Sequence, residues 1–264
     1  MKTVAIANQK GGVAKTTTAI NLAASLCEVG LKVLLVDMDP QGNASTGLGV
    51  APEQRKKTVY DLLIGDARPS EVFTETSTRN LFLIPSTTEL SSSDVELYNV
   101  SKRSFLLRDT LASTDLRAED FDFVLIDCPP SLNLLTVNAL VAADSVLIPL
   151  QTEFFALEGL SQLLLTIREI RQSANPDLRV EGVLLTMYDQ RNNLSQQVEQ
   201  DARATLGEIV YKTAIPRNVR LSEAPSYAVP ALTYDSASKG AMAYRAFTQE
   251  FLKNNEAGLG RSRA

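Results

Sequence analysis

Lys10, Lys15, Thr16, Asp37, Asp39 and Asp127 are the side chains whose types and spacing could do chemistry on an anion. Gly11, Gly12, Val13 and Ala14 lie between the two lysines, after the apolar run 4–7 and before a helical pattern through Ala19, Ile20, Leu22, Ala23 and Leu26. Strand, glycine-bearing loop and helix make a phosphate site. Loop N–H groups and the positive end of the helix dipole converge on anionic oxygens, and Lys15 adds a full charge. Thr16 stands where a hydroxyl can ligate Mg²⁺. The loop departs from G-x-x-x-x-G-K-[ST]: the first glycine is missing, Lys10 precedes Lys15 by five residues, and Ala14 replaces the second glycine.

Asp127 ends an apolar run, where a carboxylate can hold the hydration shell of Mg²⁺ or simply cap the next turn. Asp37 and Asp39 point to one side if their strand continues. One can engage the metal shell and the other the attacking water. The water goes to Asp39, because a loose transition state needs the water positioned more than deprotonated. Capping before Pro40 is its alternative role. Lys10 reaches its own loop's phosphates only by folding over it. From there it can instead neutralise charge developing on a nucleotide in a second subunit.

These residues need a rim to bring them together. Apolar runs 31–37, 81–85, 121–127, 144–150 and 179–187 read as strands after the first, with 212–215 as a further one. Helical patterns cover 58–64, 103–111, 133–142, 156–172, 194–206 and 238–252. The alternation predicts an α/β protein: a doubly wound, mostly parallel sheet with helices on both faces. Ligands sit at the carboxyl ends of such strands, which places the Lys10–Thr18 loop, Asp37, Asp39 and Asp127 on one rim. One domain is expected over 1–253, with a frayed polar tail at 254–264.

The chain has 264 residues, 44% of them apolar, enough for a substantial core. It contains no histidine, which removes Ser-His-Asp catalysis and histidine-bound zinc. Cys27 and Cys128 form no Cys-x-x-Cys pair, which points to a reducing cytosol. A net charge of −5 excludes a protein basic all over, though not a local basic face.

The segments KGGVAKTTT (10–18), VDMDPQGNAS (36–45), FVLIDCPPSL (123–132), LQTEFFALEGL (150–160), GVLLTMYDQRNNLS (182–195) and IPRNVRLSEAPS (215–226) resemble the ParA/Soj family. These are chromosome- and plasmid-partitioning ATPases of the deviant Walker A P-loop group, and the matching segments span nearly the whole chain. The resemblance implies an ATP-sandwich homodimer in which Lys10 reaches the partner's phosphates. Catalysis would fall to Lys10, Lys15 and Asp39. ATP would be held by Lys10, Gly11, Gly12, Val13, Ala14, Lys15, Thr16 and Thr17, with Pro216 and Arg217 near the adenine. Mg²⁺ would be held by Thr16 and, through water, by Asp37 and Asp127. Arg191, Arg217 and Arg220 would bind double-stranded DNA without sequence preference. A ParB-type partner would stimulate slow hydrolysis and release from the nucleoid, in the cytoplasm.

The family writes glycine where this chain has Ala14. Either the backbone there stays in an ordinary region and turnover is near normal, or ATP binding or hydrolysis is impaired, leaving a nucleotide-gated binding switch. A MinD-like or protein-cargo positioning ATPase is a rival within the fold. Residues 256–264 carry two glycines and one large apolar residue, so a membrane-binding helix is not expected. An iron–sulfur electron carrier would need cysteines on the dimer axis, and Cys27 falls inside the first helix. A first strand at residue 2 or 3 leaves no preceding helix-turn-helix, so sequence-specific repression is not expected either.

Overall fold

Strands that are apolar on both sides must be covered on both sides, and the architecture follows from that requirement. A computed structural model describes the backbone of residues 1–259. Its elements begin with β1 (Lys2–Ile6), α1 (Lys15–Glu28), β2 (Val33–Asp37), α2 (Asn43–Gly47), α3 (Val59–Ile64), β3 (Thr74–Glu75) and β4 (Leu81–Ile84). Then come α4 (Ser93–Glu96), α5 (Leu106–Leu111), α6 (Thr114–Arg117), β5 (Phe123–Asp127), α7 (Leu134–Ala142), β6 (Ser145–Gln151) and α8 (Ala156–Ser173). The chain continues through β7 (Arg179–Thr186), α9 (Asn193–Leu206), α10 (Val219–Glu223), α11 (Ala231–Tyr234) and α12 (Lys239–Leu259).

Among the described residues these strands form one sheet in the order β3-β4-β2-β5-β1-β6-β7. All neighbours are parallel except β3 and β4. Alternate strand residues enter opposite cores. Ala5, Leu34, Val36, Val124 and Ile126 pack under α3, α5, α7 and α8. Val4, Ile6, Leu35, Phe123 and Leu125 pack under α1 and α12. The register sets Ile6 beside Asp127, and Asp127 beside Asp37, so the ends of β1, β5 and β2 are level. That level edge is the expected rim.

Three sequence expectations change. The expected strand at 212–215 does not form among the described residues. Its pairing is broken: isolated bridges form at Val183–Val210 and Tyr188–Pro216, and the Tyr211 and Ile215 N–H groups donate to the Val183 and Leu185 carbonyls of β7 at 3.0 and 2.8 Å. Side chains take other groups of its backbone: Glu250 accepts the N–H groups of Lys212 and Thr213, and the Arg203 guanidinium donates to the Val210 and Tyr211 carbonyls. At the C-terminus, α12 runs on to Leu259, so the stretch expected as a tail from 254 is helical to that point. Asn255 is buried there and donates to Glu181 and to the Phe251 carbonyl, which explains how polar residues extend the helix. The remainder, 260–264, lies outside the described residues. The third change is β3, an antiparallel edge strand of two residues that carries no periodic signal.

Candidate functional site

The loop between β1 and α1 is fastened from beneath. Asn8 is buried, donates to the Pro149 carbonyl at 2.7 Å, and accepts the Lys10 N–H at 3.1 Å. On the far side Thr186 donates to the Val13 carbonyl at 3.1 Å. Lys15 is buried, and its ammonium donates to the Lys10 carbonyl at 2.9 Å, closing the loop into a ring. Gly12 has φ +75°, and nothing lies near where its Cβ would be, so glycine serves the backbone here. Ala14 is left-handed as well, with φ 69° and ψ 32°, at the N-cap of α1. Of the two alternatives for Ala14, the one that keeps its backbone in an ordinary region is excluded. A reversal of the loop at Ala14 is what turns the first N–H groups of α1 toward the rim.

The acidic side of the site divides its labour. Asp37 is fully buried, and its carboxylate is taken up by its own loop. Oδ2 accepts from the Ser45 N–H at 2.8 Å and from Ser45 Oγ at 2.7 Å, and Oδ1 from the Asp39 N–H at 3.2 Å. Burial outweighs these bonds and pushes its pKa up to about 6. Asp39 accepts the Gln41 N–H and keeps the loop turned toward the rim. Asp127 differs: both carboxylate oxygens are buried and neither accepts a hydrogen bond of normal geometry, although the Thr16 hydroxyl is close by. Burial first, then the charge of Asp37, holds its pKa well above the usual carboxylate range, although Thr16 and Lys15 are close enough to oppose the shift. Burial in turn lowers the pKa of Lys15, against the pull of Asp127.

A buried carboxylate that accepts no hydrogen bond of normal geometry is costly, and a hydrated divalent cation supplies what Asp127 lacks. Thr16, the second residue of α1, carries a hydroxyl on the same rim. The residues present fit Mg²⁺, with Asp127 the carboxylate still available and Asp37 committed to Ser45. Gln9 Nε2 is a further buried atom without a partner, again in this loop.

Two cavities flank α1. One of about 370 Å³ is lined by Ala14, Thr17, Met187, Pro216, Arg217 and Asn218 among others. The structure thus brings the expected adenine segment to the phosphate loop. The other, about 290 Å³, opens between Thr16, Thr17, Asn43, Thr46 and Pro225. Lys10 points away from both and pairs with Glu153, just past β6. Beside that pair Phe154 and Phe155 stand 75% and 61% exposed, with ring centroids 5.0 Å apart.

The expected DNA residues are less uniform. Arg191 pairs with Asp189, and Arg220 with Glu223 and Asp235. Arg217 has no ion pair among the described residues. It lines a groove of about 880 Å³ with Arg191, Lys212 and Lys239. Sequence reading missed Asn8, Ser45, Glu153, Met187, Lys212 and Lys239. Of these, Ser45, Glu153 and Met187 lay in motif stretches already singled out. Cys27 and Cys128 are both buried and free, and no cluster of metal-ligating side chains occurs among the described residues.

Comparison with known proteins agrees with this geometry. Residues 1–180 match the family model described as an AAA domain. The chain is 53% identical to "Chromosome partitioning protein ParA" of Caulobacter vibrioides over 96% of this chain and 94% of that protein. It is 49% identical to "Sporulation initiation inhibitor protein Soj" of Bacillus subtilis, over 96% and 99% respectively. Among solved structures, a Mycobacterium smegmatis protein titled cobyrinic acid a,c-diamide synthase, with bound ADP and magnesium, superposes with a TM-score of 0.84. It is 40% identical, over 98% of this chain and 96% of that one.

Proposed function

The chain belongs to the ParA/Soj family of chromosome-partitioning ATPases, and on that premise we propose that it is an ATP-gated, dimerising DNA-binding ATPase. The observation that carries the reading is Asp127: a buried carboxylate that accepts no hydrogen bond of normal geometry, on the same rim as a buried lysine at a helix N-terminus. ATP takes the loop N–H groups and Lys15 on its phosphates, Thr17 on the α-phosphate, and the cavity at Pro216 and Arg217 for its base. Thr16 and Asp127 hold Mg²⁺, which screens phosphate charge, and Asp37 acts by fixing the loop that follows it. Asp39 orients the attacking water.

Lys10 completes the site of a second copy. It is partly exposed, its partner Glu153 is only half-buried, and an exposed aromatic pair stands next to it. Phosphates of a second subunit can replace Glu153, and Phe154 and Phe155 would be buried as the faces meet. Two subunits then present their Arg191, Arg217 and Arg220 faces together to a DNA backbone. A ParB-type protein is the expected stimulator, and hydrolysis the release step.

The test is DNA affinity measured with ADP, ATP and a nonhydrolysable ATP analogue across a salt series. Tight binding is expected with ATP and the analogue, and weak binding with ADP. Affinity indifferent to the nucleotide would end the gated reading. One observation favours a second version: the left-handed backbone of Ala14 favours a switch whose hydrolysis is slow or arrested. Single-turnover hydrolysis with DNA present separates the two.

A further inference from the structure

The loop carrying Asp37 and Asp39 leaves β2, turns at Gly42, forms α2 and ends at Arg55, after which the chain departs for α3. A hydrolytic carboxylate on such a loop is only as well placed as the loop is held. Asp37 and Ser45 hold its inner edge. The outer edge is gathered by one side chain. Arg55 donates from Nη1 to the Ser86 carbonyl at 2.9 Å and from Nη2 to Thr46 Oγ1 at 2.7 Å. It also donates to the Val50 carbonyl, from Nε at 3.0 Å and from Nη2 at 2.8 Å.

The fork joins three points: α2, the strand end of β4, and the loop's own return. No carboxylate lies within ion-pair distance of Arg55 among the described residues, so its donors are spent on holding backbone and a hydroxyl. The loop is built around it. A Cβ on Gly42 would lie 2.3 Å from Arg55 Nη1 and 2.9 Å from the Ser86 carbonyl, and Gly42 has φ +61°. The chain turns there, three residues after Asp39, only because no side chain stands between backbone and guanidinium. Ser86 also donates its N–H to Ser45 Oγ at 3.1 Å, so the inner and outer fastenings meet on one residue.

We infer that Arg55 is a positioning residue for hydrolysis: its guanidinium holds the Asp39 loop on the rim without touching nucleotide. The inference rests on the assignment of the attacking water to Asp39. A lysine cannot reproduce the fork, since its donors radiate from one point. Arg55→Lys keeps the charge and loses the geometry.

The experiment measures single-turnover ATP hydrolysis and ATP affinity for wild type, R55K, D39A and the double variant, with hydrogen exchange over α1 and α12 as a fold check and over 38–50 as the readout of loop release. R55K is expected to hydrolyse at least about tenfold more slowly. Its ATP Kd should stay within about twofold of wild type, because Lys15 and the loop N–H groups are untouched. In the D39A background R55K should change nothing further. A purely structural role would weaken ATP binding and turnover together, and that result overturns the inference. So does R55K turning over at the wild-type rate, or lowering the residual rate of D39A by the same factor as it lowers wild type. Wild-type turnover by D39A alone would instead sink the assignment of the water to Asp39.

Discussion

Ala14 holds a left-handed backbone that its Cβ disfavours by about 1–2 kcal/mol, in a loop whose other left-handed position is a glycine. Ala14→Gly removes that strain and adds about 0.5–1 kcal/mol of backbone entropy cost. The net gain is about 1 kcal/mol, or a rise in Tm of about 2 °C for a chain of this size. Calorimetry reads the first effect and ATP titration the second, which should show equal or tighter binding. A lower Tm would mean that the Cβ of Ala14 contributes packing that outweighs its strain. The phosphate loop was legible from sequence because glycines, Lys15 and Thr16 are all local to one turn. Its strain was not, because the loop is tethered at Asn8 and Val13 by Pro149 and Thr186, which lie far away in the sequence. The division between Asp37 and Asp127 was hidden for the same reason: both end apolar strands, and only Ser45 distinguishes them.

At the scale of elements, side chains complete what broken strand pairing leaves undone along the stretch 210–217. Tyr211 and Ile215 bond to the β7 backbone, and between them Glu250 on α12 holds the N–H groups of Lys212 and Thr213. Burial works against ionisation of Glu250, but the Lys212 and Thr213 N–H groups outweigh it and hold its pKa below the usual range. A depressed carboxylate contributes stability above its unfolded pKa and loses it as pH falls through the folded value. Glu250→Ala should therefore cost about 1.5–3 kcal/mol at pH 7, the range for hydrogen bonds to a charged group. The difference from wild type should shrink below about pH 4.3. Denaturant unfolding at several pH values measures it, and a deficit that is constant with pH would assign Glu250 to packing alone. Long apolar strands and helices were readable by period. The edge strand β3, helix α2 and the 210–217 segment were not, because two to eight residues carry no period and are shaped by partners distant in sequence.

The whole molecule carries a net charge of −5, yet its proposed DNA face is a groove edged by Arg191, Arg217, Lys212 and Lys239. Two of the sequence-expected cations are already paired: Arg191 with Asp189, and Arg220 with Glu223 and Asp235. These pairs are open to water and salt, so DNA phosphates can displace the carboxylates, but each exchange must overcome an ion-pair partner that Arg217 lacks among the described residues. The charges therefore contribute unequally. Each phosphate neutralised adds about 0.9 to the slope of log affinity against log salt, and a dimer doubles every contact. Arg217→Ala should weaken ATP-dependent DNA binding most and lower the slope by about 2. It must be compared at saturating nucleotide, since Arg217 also lines the base cavity. Arg191→Ala and Arg220→Ala should lower affinity less, because each of these cations is already partly neutralised by its acidic partner. Arg117→Ala, on α6 and outside this groove, should leave the slope unchanged. If Arg217→Ala and Arg191→Ala both kept the wild-type slope, the 188–243 groove would not be the DNA face. If Arg117→Ala shared the loss, attraction would be spread over the surface rather than gathered where two subunits align.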